Sequence, residues 1–209
     1  MVSYFPNASV PAGRCPRCAF PPEACLCPAI PSLRTPYRFL ILRHASEIPR
    51  MTNSGRWAAL ALEGAVIHDH ARGAEPSDEA VARLLGEPPA VLLFPTTVPA
   101  RMAEPPRTIV VPDATWSQAR HMVQRIRPLQ TLPRLALPSP PAPWSELAVL
   151  RRSTVAGGMT TLEAIAAVLG LLGESEAAAA LQVLHGVALE RTLRLKGMWP
   201  PDRNRHPGA

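Results

Sequence analysis

Four cysteines fall within thirteen residues of a 209-residue chain, as Cys15-x2-Cys18 and, after a six-residue spacer, Cys25-x-Cys27. Close-spaced pairs let two thiolates grip one ion while the intervening loop brings up two more, the tetrahedral sulfur shell that Zn²⁺ prefers. A closed shell leaves no coordination position for water, so such a metal is structural. The spacing also leaves a redox or iron–sulfur reading open. A disulfide reading fits a secreted chain, and Met1-Val2-Ser3-Tyr4-Phe5-Pro6 has no basic stretch followed by an apolar one. The Pro-rich loop is too short to fold unaided, so metal binding and folding should be coupled.

Three further segments carry reactive side chains. Arg43-His44-Ala45-Ser46-Glu47-Ile48-Pro49-Arg50-Met51-Thr52-Asn53-Ser54-Gly55-Arg56 combines guanidinium groups, an imidazole, a carboxylate and a turn that enters a helix. Such a junction suits phosphate or polar-base contacts, or is a capped loop with solvated charges. Asp113-Ala114-Thr115-Trp116 puts a carboxylate, a hydroxyl and an indole where an apolar run gives way to a helix. The plainer role for Asp113 is a helix-dipole partner; the chemical one is to face a cleft, binding a cation or accepting a proton. Arg151-Arg152 through Thr160-Thr161-Leu162-Glu163 is the third, with Glu163 first of all a capping-box partner. No dinucleotide or P-loop glycine pattern occurs.

The elements that must position these groups read as alternating strands and helices. Tyr37–His44, Ala90–Pro95, Arg107–Pro112 and Leu147–Leu150 are short apolar runs expected of buried parallel strands, with Ala65–Ile67 a weaker candidate. Helices are expected from Asn53 to about Leu62, Ser77 to Leu85, Thr115 to Ile126, Thr160 to Leu172 and Ser175 to about Leu195. Thr115-x-x-Gln118 and Thr160-x-x-Glu163 fit capping boxes. Proline-rich 133–143 reads as a rigid loop and 198–207 as a loose tail. This alternation predicts an α/β fold, a mostly parallel sheet with helices on both faces, where ligands bind at the strand-to-helix junctions.

Composition narrows the class. Hydrophobic residues make up 47%, charged residues 18% and aromatic residues 5%, which excludes disorder and leaves a core of Leu, Val, Ile and Ala. No apolar run approaches the ~20 residues of a membrane span, so a cytoplasmic protein is expected. The net charge of +6 is concentrated: residues 1–60 and 91–160 carry +5 each, 61–90 carry −4 and 161–209 none. The two basic blocks, almost all Arg, could converge on an anion-binding face.

On four separate motifs the chain resembles the DTW-domain proteins, the tRNA-uridine aminocarboxypropyltransferases. These are the Cys15/Cys18/Cys25/Cys27 element; His44, Glu47, Arg50, Thr52, Asn53, Gly55 and Arg56; Asp113, Thr115 and Trp116 with Ala119; and Thr161 with Glu163. Order and spacing cover roughly residues 15–196, and the departures are Ala45, where Pro is expected, and Ser54, where Thr is expected. The resemblance implies a SPOUT-like fold with a trefoil knot, arranged as a zinc element over 1–34, a catalytic domain over 35–198 and a flexible tail over 199–209. It implies transfer of the 3-amino-3-carboxypropyl group of S-adenosylmethionine to N3 of a tRNA uridine, with release of 5′-methylthioadenosine.

With that activity in mind, the pocket for S-adenosylmethionine is expected from Leu93, Phe94, Pro95, Thr96, Asp113, Thr115, Trp116, Arg152, Thr160, Thr161 and Glu163. Asp113 is the first choice for the base that takes the uridine proton, or for the partner of the donor's ammonium, and Glu47 is the second choice. Arg43, His44, Arg50, Asn53, Arg56 and Arg120 are expected on RNA, Arg151 and Arg152 on carboxylate or phosphate, and Trp57 or Trp116 against an unstacked base. Two other functions fit: a methyltransferase of the same fold and donor, and a non-enzymatic zinc-containing RNA-binding module.

Overall fold

The structure, a computed structural model, describes residues 10–70, 78–96, 104–137 and 158–199. The expected strand at Leu147–Leu150, the Arg151-Arg152 pair, Ser77 and the tail beyond Trp199 lie outside those residues. Five parallel strands form one sheet in the order β2-β1-β4-β3-β5. They are β1 (Arg38–His44), β2 (Val66–His70), β3 (Ala90–Leu93), β4 (Thr108–Asp113) and β5 (Arg134–Leu135). The helices are α1 (Ser54–Ala61), α2 (Asp78–Leu85), α3 (Trp116–Arg125), α4 (Arg127–Gln130), α5 (Thr161–Leu171) and α6 (Ser175–Leu195).

Both faces of the sheet are covered, which is why its central strands read as continuous apolar runs. Phe39, Ile41, Ile109 and Val111 point to one side, into a core shared with α1, α5 and α6. Their neighbours Leu40, Leu42 and Val110 point to the other, against Val81 of α2, Met122 and Val123 of α3, and Leu129 of α4. Fully burying one such side chain is worth about 2 kcal/mol. No helix among the described residues is long and apolar enough to cross a membrane.

The cysteine element packs into the first of these cores rather than standing apart from it. Cys18, Phe20 and Leu26 are wholly buried, and the Phe20 and Trp57 rings lie 5.7 Å apart between centroids. Arg191 on α6 donates to the carbonyl of Cys25.

Two local features differ from the sequence expectation. Arg134–Leu135, inside the stretch read as a rigid loop, forms β5, paired with Leu92 and Leu93 of β3. A two-residue strand has no alternation to read, and its partner supplies the pairing. Arg127–Gln130 adds a helical turn after α3, started by Pro128 at a position where the missing N–H does no harm.

Candidate functional site

The carboxyl end of β4 and the N-termini of α1 and α5 meet at one side chain. Asp113, the last residue of β4, is 3% exposed. Its Oδ2 accepts a hydrogen bond from Asn53 Nδ2 at 2.6 Å, and its Oδ1 accepts one from Thr161 Oγ1 at 2.6 Å. Asn53 is also the N-cap of α1, its Oδ1 accepting from the backbone N–H of Arg56 at 3.0 Å. One amide therefore caps α1 with its oxygen and ties it to β4 with its nitrogen, a division that an ionised Asp at the cap, an acceptor only, could not make. Gly55 passes so close that a Cβ there would stand 2.5 Å from Asp113 Oδ2. Ser54 Oγ accepts from the N–H of Leu162 at 3.4 Å, joining α1 to α5. Thr, the residue expected at position 54, could make the same bond.

Burial pushes the Asp113 carboxyl above its ordinary range, while the bonds from Thr161 and Asn53 favour the ionised form. Asp113 also stands in a cross-sheet row: Arg43 pairs in register with Asp113 on one side and Asp69 on the other. Arg43 is 4% exposed and grips Asp69 with two bonds, Nε to Oδ1 at 2.6 Å and Nη2 to Oδ2 at 2.9 Å.

Both capping boxes form. Thr115 and Gln118 close the start of α3, and Thr160 and Glu163 the start of α5. Gln118 Nε2 also reaches Ser46 Oγ at 3.2 Å, attaching α3 to the turn after β1. Beneath the α5 box, His185 Nε2 on α6 lies 3.5 Å from Thr160 Oγ1. Burial holds His185 below its usual range, opposed by the nearby charge of Glu163.

A cleft of about 360 Å³ opens at the carboxyl ends of β3, β4 and β5. Of the side chains expected around a donor, Leu93, Phe94, Pro95, Thr96, Trp116, Thr160 and Thr161 line it. Asp113, Thr115 and Glu163 are not among its lining residues; they fix the ends of β4, α3 and α5 behind it. Arg152 lies outside the described residues. Sequence reading did not single out Val111, Pro112, Leu135, Ala136, Leu137 or Ala164, which also line it. Ala136 and Leu137 follow β5, so recognising that strand would have pointed to them. The Phe94 and Trp116 rings are 6.2 Å apart, and the Arg134 guanidinium sits 5.8 Å from the centre of Phe94.

The groups expected on RNA fall into different surroundings. Arg43 and Asn53 are buried and engaged as described. Arg56, 6% exposed, donates from Nη2 to the Ile48 carbonyl at 2.6 Å. Desolvation, reinforced by the charge of Arg43, lowers its pKa to about 10, so it remains a cation at neutral pH. His44 Nδ1 accepts from the N–H of Ser46 at 3.2 Å, closing a single turn after β1. Arg50 reaches the Ser46 carbonyl at 3.1 Å and Glu47 Oε1 at 3.5 Å, and Glu47 itself is 1% exposed. Arg120 is exposed on α3. Trp57 is wholly buried and so cannot stack on a base, while Trp116 lies on the cleft.

The four cysteine sulfurs all lie within 4.8 Å of one another, with Cys15–Cys27 at 3.6 Å and Cys18–Cys25 at 3.8 Å. A disulfide needs about 2.05 Å. A Zn–S bond of about 2.3 Å places tetrahedral ligands about 3.8 Å apart. The quartet therefore fits a four-coordinate zinc. The backbone prepares it: the N–H of Leu26 donates to Cys18 Sγ at 3.3 Å, and Ala19 takes a left-handed φ of 65° to turn the chain. For Cys15, burial works against the thiolate, but N–H groups of Cys18 and Arg17 and the Cys27 thiol bring it down to about 7.

The model of the DTW domain matches residues 12–193. The chain is similar to tRNA-uridine aminocarboxypropyltransferase 2 of Drosophila melanogaster, 28% identical over 169 residues that cover 76% of this chain and 66% of the relative. The chain thus spans just under two thirds of that protein's length. No solved structure matches it.

Proposed function

From the premise that this chain belongs to the DTW-domain family, we propose that it modifies tRNA by moving the 3-amino-3-carboxypropyl group of S-adenosylmethionine to N3 of a uridine. The observation that carries this reading is a small-molecule cleft whose wall includes three residues of the family signature, Trp116, Ala119 and Thr161. Asp113 fastens Thr161 into its wall, and Thr115 caps the helix that presents Trp116. The SPOUT-like character of the fold and a cytoplasmic site of action belong to the same proposal.

The cleft suits such a donor in size and chemistry. Its roughly 360 Å³ lies in the range of small-molecule sites, mostly apolar with a few convergent polar groups. Phe94, Trp116 and Leu93 offer surface for an adenine or a thioether, and Thr160 and Thr161 offer hydroxyls. The donor supplies a sulfonium whose three carbon substituents are each open to attack. The substituent that the protein aims at the nucleophile is the one that leaves, so orientation within the cleft decides the product.

In the reaction the uridine N3 forms a bond to the carbon of the aminocarboxypropyl arm. The C–S bond breaks with its electron pair going to sulfur, and neutral 5′-methylthioadenosine departs. The N3 proton is lost to water at the cleft mouth. Asp113 has both oxygens engaged by donors and lies behind the cleft wall, which gives it a positioning role: it holds the Thr161 hydroxyl and the α1 N-terminus in place. Glu47, buried against Arg50, steadies the turn after β1 in the same way. Cys15, Cys18, Cys25 and Cys27 would hold a zinc ion that supports the fold, its closed four-sulfur shell leaving it outside the chemistry.

The test uses donor labelled separately in the methyl carbon and in the carboxyl carbon, incubated with the full chain and unmodified tRNA. The proposal predicts carboxyl label in the RNA and methyl label in released 5′-methylthioadenosine. Methyl label in the RNA would assign a methyltransferase, and label in neither place a binding module.

A further inference from the structure

Most described arginines are occupied within the fold. Arg34, Arg43, Arg50, Arg107, Arg127 and Arg194 face carboxylates. Others reach backbone carbonyls or, in Arg134, a ring. Arg14, Arg17, Arg83, Arg120 and Arg125 have no such partner among the described residues. Arg120 and Arg125 share one surface with a direct connection to the cleft.

That surface is the outer face of α3. Its inner side is set by Ala119, Met122 and Val123, which are buried against the sheet. The helical period then turns Ser117, Arg120, His121, Gln124 and Arg125 outward, and all are exposed. They form two adjacent i,i+4 rows, Trp116–Arg120–Gln124 and Ser117–His121–Arg125. The first row begins at Trp116 in the cleft wall, and the ridge runs about 14 Å away from it along the helix. No acidic residue occurs in α3.

We propose that this ridge is the track that seats the RNA phosphate backbone and delivers the target nucleotide past Trp116 into the cleft. The inference rests on the RNA-modifying reading above and deepens it. Unpaired guanidinium groups with hydroxyl, amide and imidazole neighbours match phosphate oxygens. The ridge lacks the exposed apolar anchors of a protein interface. It also moves RNA recognition away from Arg43 and Arg56, whose side chains are buried inside the fold.

The experiment measures binding of a labelled tRNA transcript by fluorescence polarisation between about 50 and about 200 mM salt. Wild type is compared with R120Q, R125Q, the double variant and R83Q, which removes an equally unpaired Arg from α2. The double variant should bind at least about tenfold more weakly at the lower salt. Its log–log salt slope should shrink by about two, one for each phosphate that is no longer neutralised. Melting temperature and calorimetric affinity for S-adenosylmethionine should stay at wild-type values, and R83Q should bind as wild type does. An unchanged slope in the double variant, or an equal weakening in R83Q, overturns the assignment. Polyglutamate displacing tRNA at comparable concentration would assign the ridge to an acidic protein instead. If wild type binds the donor but no tRNA, the RNA-modifying reading itself fails.

Discussion

Gly55 and Asp113 are in contact so close that no other residue type fits at position 55: a Cβ there would lie 2.5 Å from Oδ2 and 2.7 Å from Cγ of the carboxylate. The atoms in the way belong to a short, fully packed side chain held by Asn53 and Thr161. Gly55→Ala must therefore displace α1 or break the Asp113 bonds. Overpacking of this kind costs about 1–3 kcal/mol. Thermal unfolding should show that destabilisation in G55A, with transfer activity reduced by more than the melting shift accounts for.

Thr161 separates a positioning hub from a proton-accepting Asp113. Thr161→Val keeps the shape of the side chain and removes the donor to Oδ1, leaving a buried carboxylate oxygen short of one bond. Losing a charge-assisted bond destabilises by about 1.5–3 kcal/mol, and the misalignment it leaves at the cleft should lower kcat about tenfold or more. Thr161→Ser restores the donor and should recover most of the rate. Because removing the hydroxyl disturbs alignment, the pH–rate profile of T161V should keep its shape. A shifted limb in that profile would argue for Asp113 as the base.

Metal content tests the cysteine quartet. Elemental analysis should find one zinc per chain, removed by exhaustive chelation or in Cys18→Ser. Since Phe20 packs on Trp57 within the main core, the effect should reach the whole chain. We expect the melting temperature to drop by roughly 10 °C, the shift about 3 kcal/mol produces in a chain of this size. A small local change with unaltered melting would contradict the shared core.

His185 predicts a pH dependence of stability. Burial favours its neutral form, so its folded pKa lies below the unfolded value of about 6.5. Between those two values the unfolded chain binds more protons than the folded one, and stability rises with pH. The contribution is full above about pH 6.5 and is lost as pH falls toward the folded pKa. His185→Gln, which keeps a polar partner for Thr160, should flatten the acid limb of a melting-temperature profile.

Much of this was legible in the residues. Continuous apolar runs marked β1, β3 and β4, because strands covered on both faces need no polar alternation. The two capping boxes placed α3 and α5 to the residue. The cysteine spacing identified its quartet, and the Leu93–Thr96 and Trp116 segments named much of the cleft wall. What was not legible follows from tertiary packing. Arg43 and Arg56 carry the same side chain as Arg120, and only the register of β1 with β2 reveals that Asp69 waits beside Arg43. The reason for Gly55 lies 58 positions away in Asp113. β5 was invisible because two residues hold no period.

The proposed activity depends above all on the donor occupying the cleft between β3, β4, β5 and α5. Ala164, in the first turn of α5, lines that cleft. Ala164→Trp fills the open volume while leaving Asp113 and the cysteines as they are. Titration calorimetry should find one S-adenosylmethionine per wild-type chain and none in A164W, with the variant melting near the wild-type temperature. Binding of the donor by a folded A164W at wild-type affinity would contradict the assignment of this cleft.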